Sequence, residues 1–114
     1  EGNDYIHGDN GLDDLHGDAG DDSLHGGTGN DVIAGDLGND ILVGGENDDT
    51  LLGGADNDLL LGKAGADQLT GESGDDTLAG GSGSGADAGD VLNVEADDLI
   101  QEDNPFTAEW IVRL

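Results

Sequence analysis

The chain carries one pattern of polar and apolar positions that repeats every nine residues. In each repeat an aspartate is followed two residues later by Ile or Leu, and four residues later by glycine. Nine copies keep this register from residue 4 to residue 80. One apolar side chain between polar neighbours predicts a short strand with one buried face, and the glycines predict a turn after it. The aspartates are Asp4, Asp13, Asp22, Asp31, Asp40, Asp49, Asp58, Asp67 and Asp76.

Written from its glycines, the unit reads Gly-Gly-x-Gly-x-Asp-x-Leu-x, as in residues 26–34, and its positions are numbered one to nine in that order. Positions seven to nine are expected to be extended and the other six to form turns, with position eight facing the interior. Glycines at positions one, two and four are expected to take backbone angles that side chains disfavour, and to let neighbouring turns approach closely. Asparagine at position five is expected to tolerate left-handed angles. These asparagines are Asn3, Asn30, Asn39 and Asn57.

Composition alone is typical of a disordered chain, and the repeat argues against disorder. Only 33% of the 114 residues are hydrophobic, 3% are aromatic, and the formal net charge is −26. Such a charge repels phosphate backbones and anionic lipids, which disfavours nucleic-acid and membrane binding. The chain has no Cys, and no apolar run is long enough to span a bilayer. A disordered acidic chain would not hold an aliphatic residue in fixed register with each aspartate.

From residue 1 to residue 79 the repeat resembles the calcium-binding nonapeptide of the repeats-in-toxin (RTX) proteins, also called the hemolysin-type repeat. The resemblance implies an all-β fold, a parallel β-roll with two sheets. It also implies a secreted, extracellular bacterial protein that leaves the cell by type I secretion. In that family such modules accompany proteases, lipases, cytolysins and adhesins.

Two nonapeptide units are expected to complete one coil, because each unit supplies one strand and one turn. Aspartates one coil apart then stack in two files at the strand separation of about 4.8 Å. Bare carboxylates at this distance repel one another, whereas Ca²⁺ binds about six to eight carboxylate and carbonyl oxygens. Mg²⁺ fits less well, because it requires octahedral geometry and retains its water.

The spacing also predicts the number of ions and their ligands. The file from Asp4 to Asp76 has four gaps and the file from Asp13 to Asp67 has three, which predicts about seven Ca²⁺ ions and lowers the net charge from −26 to −12. Asp90 is the candidate ligand of an eighth ion, because Leu92 follows it as in the other units. Carbonyl ligands are expected from the position-one glycines. These are Gly8, Gly17, Gly26, Gly35, Gly44, Gly53, Gly62 and Gly71.

An EF-hand and an active site are both disfavoured. No glutamate closes an EF-hand loop of about twelve residues. Asp21, Asp48 and Asp75 place a second acid at position five, but no nucleophile recurs beside them. We therefore expect no enzymatic activity in this chain and place any activity in other domains of a parent protein.

Several turns depart from the pattern. Asn47 and Asp56 replace glycine at position four, which predicts weaker calcium sites at those turns. Side chains at position two are expected to face water, and the cation Lys63 is expected to lower the affinity of a neighbouring site. The residues that replace glycine at position two are Asp9, Asp18, Asp36, Lys63 and Glu72.

The outer face of the odd-numbered units is expected to carry two histidines and an apolar patch. His7 and His25 lie one coil apart on this face, and His16 lies on the opposite sheet. They are interpreted as exposed strand residues, with a transition-metal site as the alternative. The patch predicts a surface for self-association or a partner, or a face covered by a neighbouring domain. It consists of Ile41, Val43, Leu59 and Leu61.

The repeats are expected to form one domain over residues 1–93, with an irregular Ser-Gly-rich insertion near 82–89. Residues 94–114 contain no glycine and hold Phe106 and Trp110, so they are expected to cap the open end of the roll. A C-terminal export signal around 109–112 is the alternative. The first unit begins at position three, from which we expect the chain to be part of a longer protein.

The expected function is that of a calcium-binding module that is extended in the calcium-poor cytosol and folds on meeting calcium outside the cell. Such folding would support the export, folding and stability of a secreted parent protein. The alternative is an adhesion or polysaccharide-binding module stiffened by calcium.

Overall fold

Each nonapeptide contributes one strand, and successive strands alternate between two sheets. The structure is a computed structural model that describes residues 1–81, 91–94, 99–101 and 110–113. Sheet one contains β1 (Tyr5–Asn10), β3 (Ser23–Thr28), β5 (Ile41–Glu46), β7 (Leu59–Ala64), β9 (Thr77–Ala79) and β11 (Leu99–Gln101). Sheet two contains β2 (Asp14–His16), β4 (Val32–Leu37), β6 (Thr50–Ala55), β8 (Gln68–Ser73), β10 (Val91–Val94) and β12 (Trp110–Arg113). Within these ranges there is no helix, and therefore none that crosses a membrane.

Paired strands of the repeat region lie in register at intervals of two nonapeptide units. Leu24 of β3 pairs with Ile6 on one side and with Leu42 on the other. In sheet two, Ile33 of β4 pairs in the same way with Leu15 of β2 and with Leu51 of β6. These pairings are parallel, which is the arrangement of a two-sheet β-solenoid. The predicted fold class, an all-β parallel β-roll with two nonapeptides per coil, is confirmed.

The core consists of the position-eight side chains, which point between the two sheets. Ile6 and Leu15, in the first coil, are only partly buried, because the structure covers them with a neighbouring coil on one side only. The core is therefore thin, and it contains aliphatic side chains alone among the described residues. The fully buried members are Leu24, Ile33, Leu42, Leu51, Leu60, Leu69, Leu78 and Leu92.

The strands are longer than the sequence predicts. Most strands of the repeat region have six residues, because pairing skips position one and resumes at positions two and three, as in Asp9↔Gly27 and Asn10↔Thr28. The prediction of three extended and six turn residues was wrong. A left-handed residue at position two bends the chain without ending the strand, since Asp36 of β4 has a φ of 77° and still pairs with Gly54 of β6. The turn proper occupies positions four to six.

Register is recovered after the insertion. Leu92 of β10 pairs with Leu69 of β8, although the interval between them exceeds one regular coil, and Leu92 is fully buried. The insertion near 82–89, Asp90 and Phe106 lie outside the described residues. In the predicted cap, β11 pairs with β9 and β12 pairs with β10, so both strands add to the existing sheets. That residues 94–114 cap the roll stays a prediction.

The outer face of sheet one carries the predicted apolar patch. Ile41 pairs with Leu59 and Val43 pairs with Leu61, so the four side chains form two adjacent rows. Ile41 is 43% exposed, and the other three are partly exposed. The patch is therefore open to contact with another molecule on a face that the core and the turns do not use.

Candidate metal centre

The position-six aspartates lie in two files, one ahead of the strands of each sheet. From Asp22 to Asp76 each is at most 3% exposed. Asp13 is partly buried and Asp4 is exposed, and both belong to the first coil. Burial of a charged carboxylate is unfavourable unless hydrogen bonds or a counter-ion compensate for it. The two oxygens of each buried carboxylate have different surroundings.

Oxygen Oδ1 of each buried aspartate accepts a hydrogen bond from the main chain of the preceding coil. The N–H of Asp22 donates to Oδ1 of Asp40 at 2.7 Å, and the N–H of Asp31 donates to Oδ1 of Asp49 at 2.8 Å. Because the partner lies one coil away, each bond links two coils and holds the carboxylate in one orientation. The same bond is made by the N–H groups of Asp4, Asp13, Asp40, Asp49 and Asp58.

Oxygen Oδ2 faces a space lined by oxygen atoms beside the position-one glycine. Oδ2 of Asp22 is buried and accepts no hydrogen bond. A Cβ atom on Gly17 would lie 2.6 Å from this oxygen and 2.7 Å from the carbonyl oxygen of Gly35, one coil further on. The carboxylate oxygen of Asp22 and the carbonyl oxygen of Gly35, which carries a partial negative charge, thus face the same space. A side chain on Gly17 would not fit there. The same buried, unpartnered Oδ2 occurs in Asp13, Asp31, Asp40, Asp49 and Asp58.

All eight predicted position-one glycines occupy equivalent places. None of them has a positive φ, so the expectation of unusual backbone angles at position one was wrong. Glycine is needed there because a Cβ atom would overlap the carboxylate oxygen. The structure thus brings the predicted aspartate and glycine ligands together at each turn. Gly8, Gly26, Gly35, Gly44, Gly53, Gly62 and Gly71 each border the aspartate five residues later.

The donor atoms of these turns fit a hard cation. They are carboxylate and carbonyl oxygens without sulfur or imidazole, which is the set that Ca²⁺ prefers and Zn²⁺ or Cu²⁺ does not. In the described part of the chain, no three His, Asp or Glu side chains converge on one point. Main-chain carbonyls must therefore supply most of the roughly six to eight oxygens that Ca²⁺ requires. The buried oxygen without a donor in successive coils indicates where such a cation belongs.

Burial without a counter-ion disfavours the charged form of the central carboxylates. Burial raises the pKa of Asp58 to about 7 and the pKa of Asp49 to about 6, and it also raises the pKa of Asp40. The hydrogen bond from the preceding coil opposes this rise, whereas the charges of stacked aspartates add to it. A bound dication would restore the charged form by replacing repulsion with attraction.

Positions two and four have left-handed backbone whether or not glycine occupies them. Gly29, at position four, has a φ of +121°, and a Cβ atom there would meet the carbonyl oxygen of Gly11. Asn47 and Asp56 take the same conformation with φ of 81° and 80°. This region costs an L-residue roughly 1–2 kcal/mol, so these turns are strained. At position two, Asp9, Asp18, Asp36, Lys63 and Glu72 have φ between 70° and 85°.

Position five has a role that the sequence interpretation missed. The asparagines there do not adopt positive φ, so the expected left-handed angle was wrong. The Oδ1 atom of Asn39 instead accepts a hydrogen bond from the N–H of Asn57, one coil further on, at 2.9 Å. Asp21 and Asp48, which were interpreted as second acids, accept the same bond. The recurrence of Asn or Asp just before the position-six aspartate was the available signal.

The histidines lie on the outer faces, as expected. The rings of His7 and His25 stack with centroids 4.8 Å apart and planes 11° apart, with Tyr5 edge-on against His7. Rings stacked almost parallel hold their in-plane lone pairs in separate planes, which disfavours the transition-metal alternative. Burial, and then repulsion from His7, lowers the pKa of His25. On sheet two, a hydrogen bond to Asp36 at 3.2 Å raises the pKa of His16.

The fold and the turns define a parallel β-solenoid with oxygen-lined cation sites. The sequence model of one protein family, the RTX calcium-binding nonapeptide repeat, matches the chain in four copies. The copies cover residues 1–24, 16–51, 25–60 and 52–87. These segments cover more than half of the chain, which therefore belongs to this family. The predicted family is confirmed, and its repeats bind calcium; the number of about seven ions stays a prediction. No curated protein and no solved structure matches the chain.

Replacement of Lys63 by glycine is expected to stabilise the calcium-loaded roll by about 1 kcal/mol, because Lys63 holds a φ of 85°, which glycine adopts without steric strain. Thermal unfolding in excess calcium measures this change. Lys63→Ala is the matched control, because it removes the positive charge but keeps the Cβ atom and the strain. Equal melting temperatures for the two variants would contradict the assignment of strain to this backbone.

The calcium-free roll is expected to gain stability as the pH falls from about 8 to about 4. Since the folded pKa values of Asp49 and Asp58 are about 6 and about 7 against an ordinary 3.8, protonation stabilises the fold at low pH. This contribution is lost as the pH rises through the folded values, and it is on the order of 3 kcal/mol per group. Circular dichroism in calcium-free buffer measures the strand content.

Asp58→Asn is the control for this pH dependence, because the amide keeps the Oδ1 acceptor but does not ionise. The variant is expected to show a smaller gain in strand content on acidification. A wild-type strand signal that stays constant or falls between about pH 8 and about pH 4 would show that burial of these carboxylates does not limit folding.

Proposed function

We propose that the chain is a calcium-driven folding module of a secreted bacterial protein. In the calcium-poor cytosol the chain is extended and competent for type I secretion. Outside the cell, calcium folds it into the roll, which hinders its return and stabilises the parent protein. The module itself carries out no catalytic step, and any enzymatic activity belongs to another domain of the parent.

The buried Oδ2 atoms without a donor carry this proposal. The charge of −26 opposes folding and the thin aliphatic core offsets little of that cost, because successive coils place like charges at the spacing of neighbouring strands. Dications between the coils neutralise the carboxylates and supply the missing partner of these Oδ2 atoms. Folding and ion binding are therefore one equilibrium, in which calcium stabilises only the folded state.

The ligands assigned in this proposal are the two files of position-six aspartates and the carbonyls of the position-one glycines. About seven ions fill the gaps between Asp4 and Asp76 and between Asp13 and Asp67. Asp90 is assigned to an eighth site because Leu92 resumes the register of sheet two. The turns that contain Asn47 and Asp56 hold the weaker sites, because their backbone is strained.

Calcium titration is expected to fold the chain cooperatively and to saturate at about seven ions, or at about eight when the site assigned to Asp90 is filled. Without calcium at neutral pH, circular dichroism should show a largely unfolded chain, because burial of the charged files is unfavourable. Isothermal titration calorimetry measures the number of ions, and magnesium at the same concentration is the control cation. Full strand content in chelator at neutral pH, or folding with magnesium alone, would contradict the proposal.

Export of the parent protein is expected to depend on calcium outside the cell. If folding on the far side hinders return, secretion in medium without calcium should slow, while synthesis stays unchanged. Quantification of secreted and retained protein with and without extracellular calcium measures this effect. Secretion that is unchanged without calcium would contradict the export role and leave calcium-dependent folding to be judged by the titration.

The outer face of sheet one favours a second function, an adhesion or polysaccharide-binding module stiffened by calcium. The apolar patch and the ring cluster of Tyr5, His7 and His25 form a continuous surface on this face. The same surface is available for self-association or for a parent domain. Substitution of the row formed by Ile41 and Leu59 tests most directly whether this surface binds a partner.

In a glycan screen with calcium, the Ile41→Ser, Leu59→Ser double variant is expected to lose binding if this second function holds. Val32→Ser is the matched control, because Val32 is equally exposed at 43% but lies on sheet two. Absence of binding by the wild-type roll, or equal loss in the control, would contradict the adhesion function and leave the folding module as the assignment.

A further inference from the structure

The position-five side chains form a second ladder of hydrogen bonds beside the carboxylate files. Asn3 accepts the N–H of Asp21 at 3.1 Å, and Asp21 accepts the N–H of Asn39 at 3.0 Å. Each acceptor is Oδ1, each donor is a main-chain amide, and the two partners of each pair lie one coil apart. The bond from Asn57 to Asn39 continues this series. The same bond is accepted by Asn30, Asp48 and Asn57.

The two ladders run in opposite directions along the roll. At position six, the carboxylate accepts an N–H from the coil before it, as Asp40 does from Asp22 at 2.7 Å. At position five, the side chain accepts an N–H from the coil after it, as Asn39 does from Asn57 at 2.9 Å. Adjacent residues of one turn are thus bound to opposite neighbouring coils.

The main-chain amides of the same two residues are held in the complementary way. The N–H of Asn39 donates to Asp21 in the coil before it, at 3.0 Å. The N–H of Asp40 donates to Asp58 in the coil after it, at 2.8 Å. The peptide groups on either side of the Cα atom of Asn39, the second of which leads to Asp40, are therefore bonded to opposite neighbouring coils. With Oδ1 of Asp40 also bound, its Oδ2 is held beside Gly35.

We propose that the position-five Asn or Asp is a positioning residue of the calcium turn, which sets the orientation of the neighbouring position-six carboxylate through the following coil. This inference rests on the proposed calcium binding, but the residue itself does not contact the ion. The acceptor oxygen is the required atom, since Asp21 and Asp48 make the same bond as the asparagines. An exposed carboxylate and an exposed amide are therefore equivalent in this role.

Two units lack the acceptor. Leu12 occupies position five in the first turn of the second file, is 80% exposed, and offers no oxygen to the N–H of Asn30. Ala66 donates its N–H to Asp48 at 2.9 Å but has no side-chain oxygen with which to continue the ladder. The turn at Leu12 therefore permits a test in which the acceptor is added rather than removed.

The first experiment compares Asn39→Ala, Asn39→Asp and Ile33→Val in calcium titrations followed by circular dichroism. Asn39→Ala is expected to lower the equilibrium constant of calcium-dependent folding about two- to fivefold, the effect of one lost hydrogen bond, and so to raise the calcium concentration at the midpoint. Asn39→Asp keeps the acceptor and is expected to restore the wild-type midpoint or a lower one. Ile33→Val weakens the core without touching a turn, and it provides the comparison for a loss of stability alone.

The outcomes separate this inference from the proposed function. A wild-type chain that does not fold with calcium would overturn the proposed function. A wild-type chain that folds, with Asn39→Ala at the wild-type midpoint or Asn39→Asp no better than Asn39→Ala, would overturn the positioning role. The melting temperatures in saturating calcium give the loss of stability in Asn39→Ala and in Ile33→Val. If, for an equal loss of stability, the two variants shift the calcium midpoint equally, the positioning role is also overturned.

The second experiment adds the missing acceptor at the first turn of the second file. Leu12→Asn is expected to raise the equilibrium constant of calcium-dependent folding about two- to fivefold and so to lower the calcium midpoint, since its oxygen can accept the N–H of Asn30. Leu12→Ala removes the same exposed apolar side chain without supplying an acceptor, and it is expected to stay at the wild-type midpoint. Equal midpoints for the two Leu12 variants would overturn the positioning role at this turn.

Discussion

Repulsion between buried carboxylates is the constraint on which the structure depends. The coil places Asp22 beneath Asp40, and Asp40 beneath Asp58, at the spacing of neighbouring strands. Each carboxylate divides its two oxygens between two partners. Oδ1 is bound by the protein, and Oδ2 is left for a cation beside a glycine that has no side chain to obstruct it. The fold thus bonds one oxygen of each carboxylate through the protein itself and leaves the other facing a space that a cation would occupy.

The sequence predicted the features that depend on strict periodicity. Aspartate at position six and an aliphatic residue at position eight, repeated in every unit, specify strands of one buried face, coils of two units and two files of carboxylates. The recovery of register at Leu92 followed from the same counting, since an insertion only displaces the next aliphatic residue. These inferences needed local pattern and the spacing of strands, and no knowledge of individual side-chain partners.

The features that the sequence did not predict depend on contacts between coils. Propensity suggested left-handed angles for Asn39, whereas the residue accepts a hydrogen bond from a turn one coil away. Glycine at position one suggested unusual dihedral angles, whereas Gly17 is needed for space beside Asp22. Strand length was misjudged because a left-handed residue such as Asp36 normally ends a strand, but here it still pairs with Gly54 of the neighbouring strand. In each case a partner outside the local segment determines the conformation.

The division of work among the nine positions has a consequence for how such a chain can change. Turns, core and ion sites use positions one, two, four, five, six and eight, whereas the described side chains at positions three, seven and nine are at least partly exposed, apart from Ala34 and Ala79. Tyr5 and Ile41 on one face and Val32 on the other belong to this second group. Substitutions at the exposed positions therefore change the surface chemistry with little effect on folding. The number of coils sets the length of the roll and changes neither the surface chemistry of a coil nor its fold. Evolution or protein design can therefore change the exposed side chains of the two sheets independently of each other, while the turns at the edges maintain the fold.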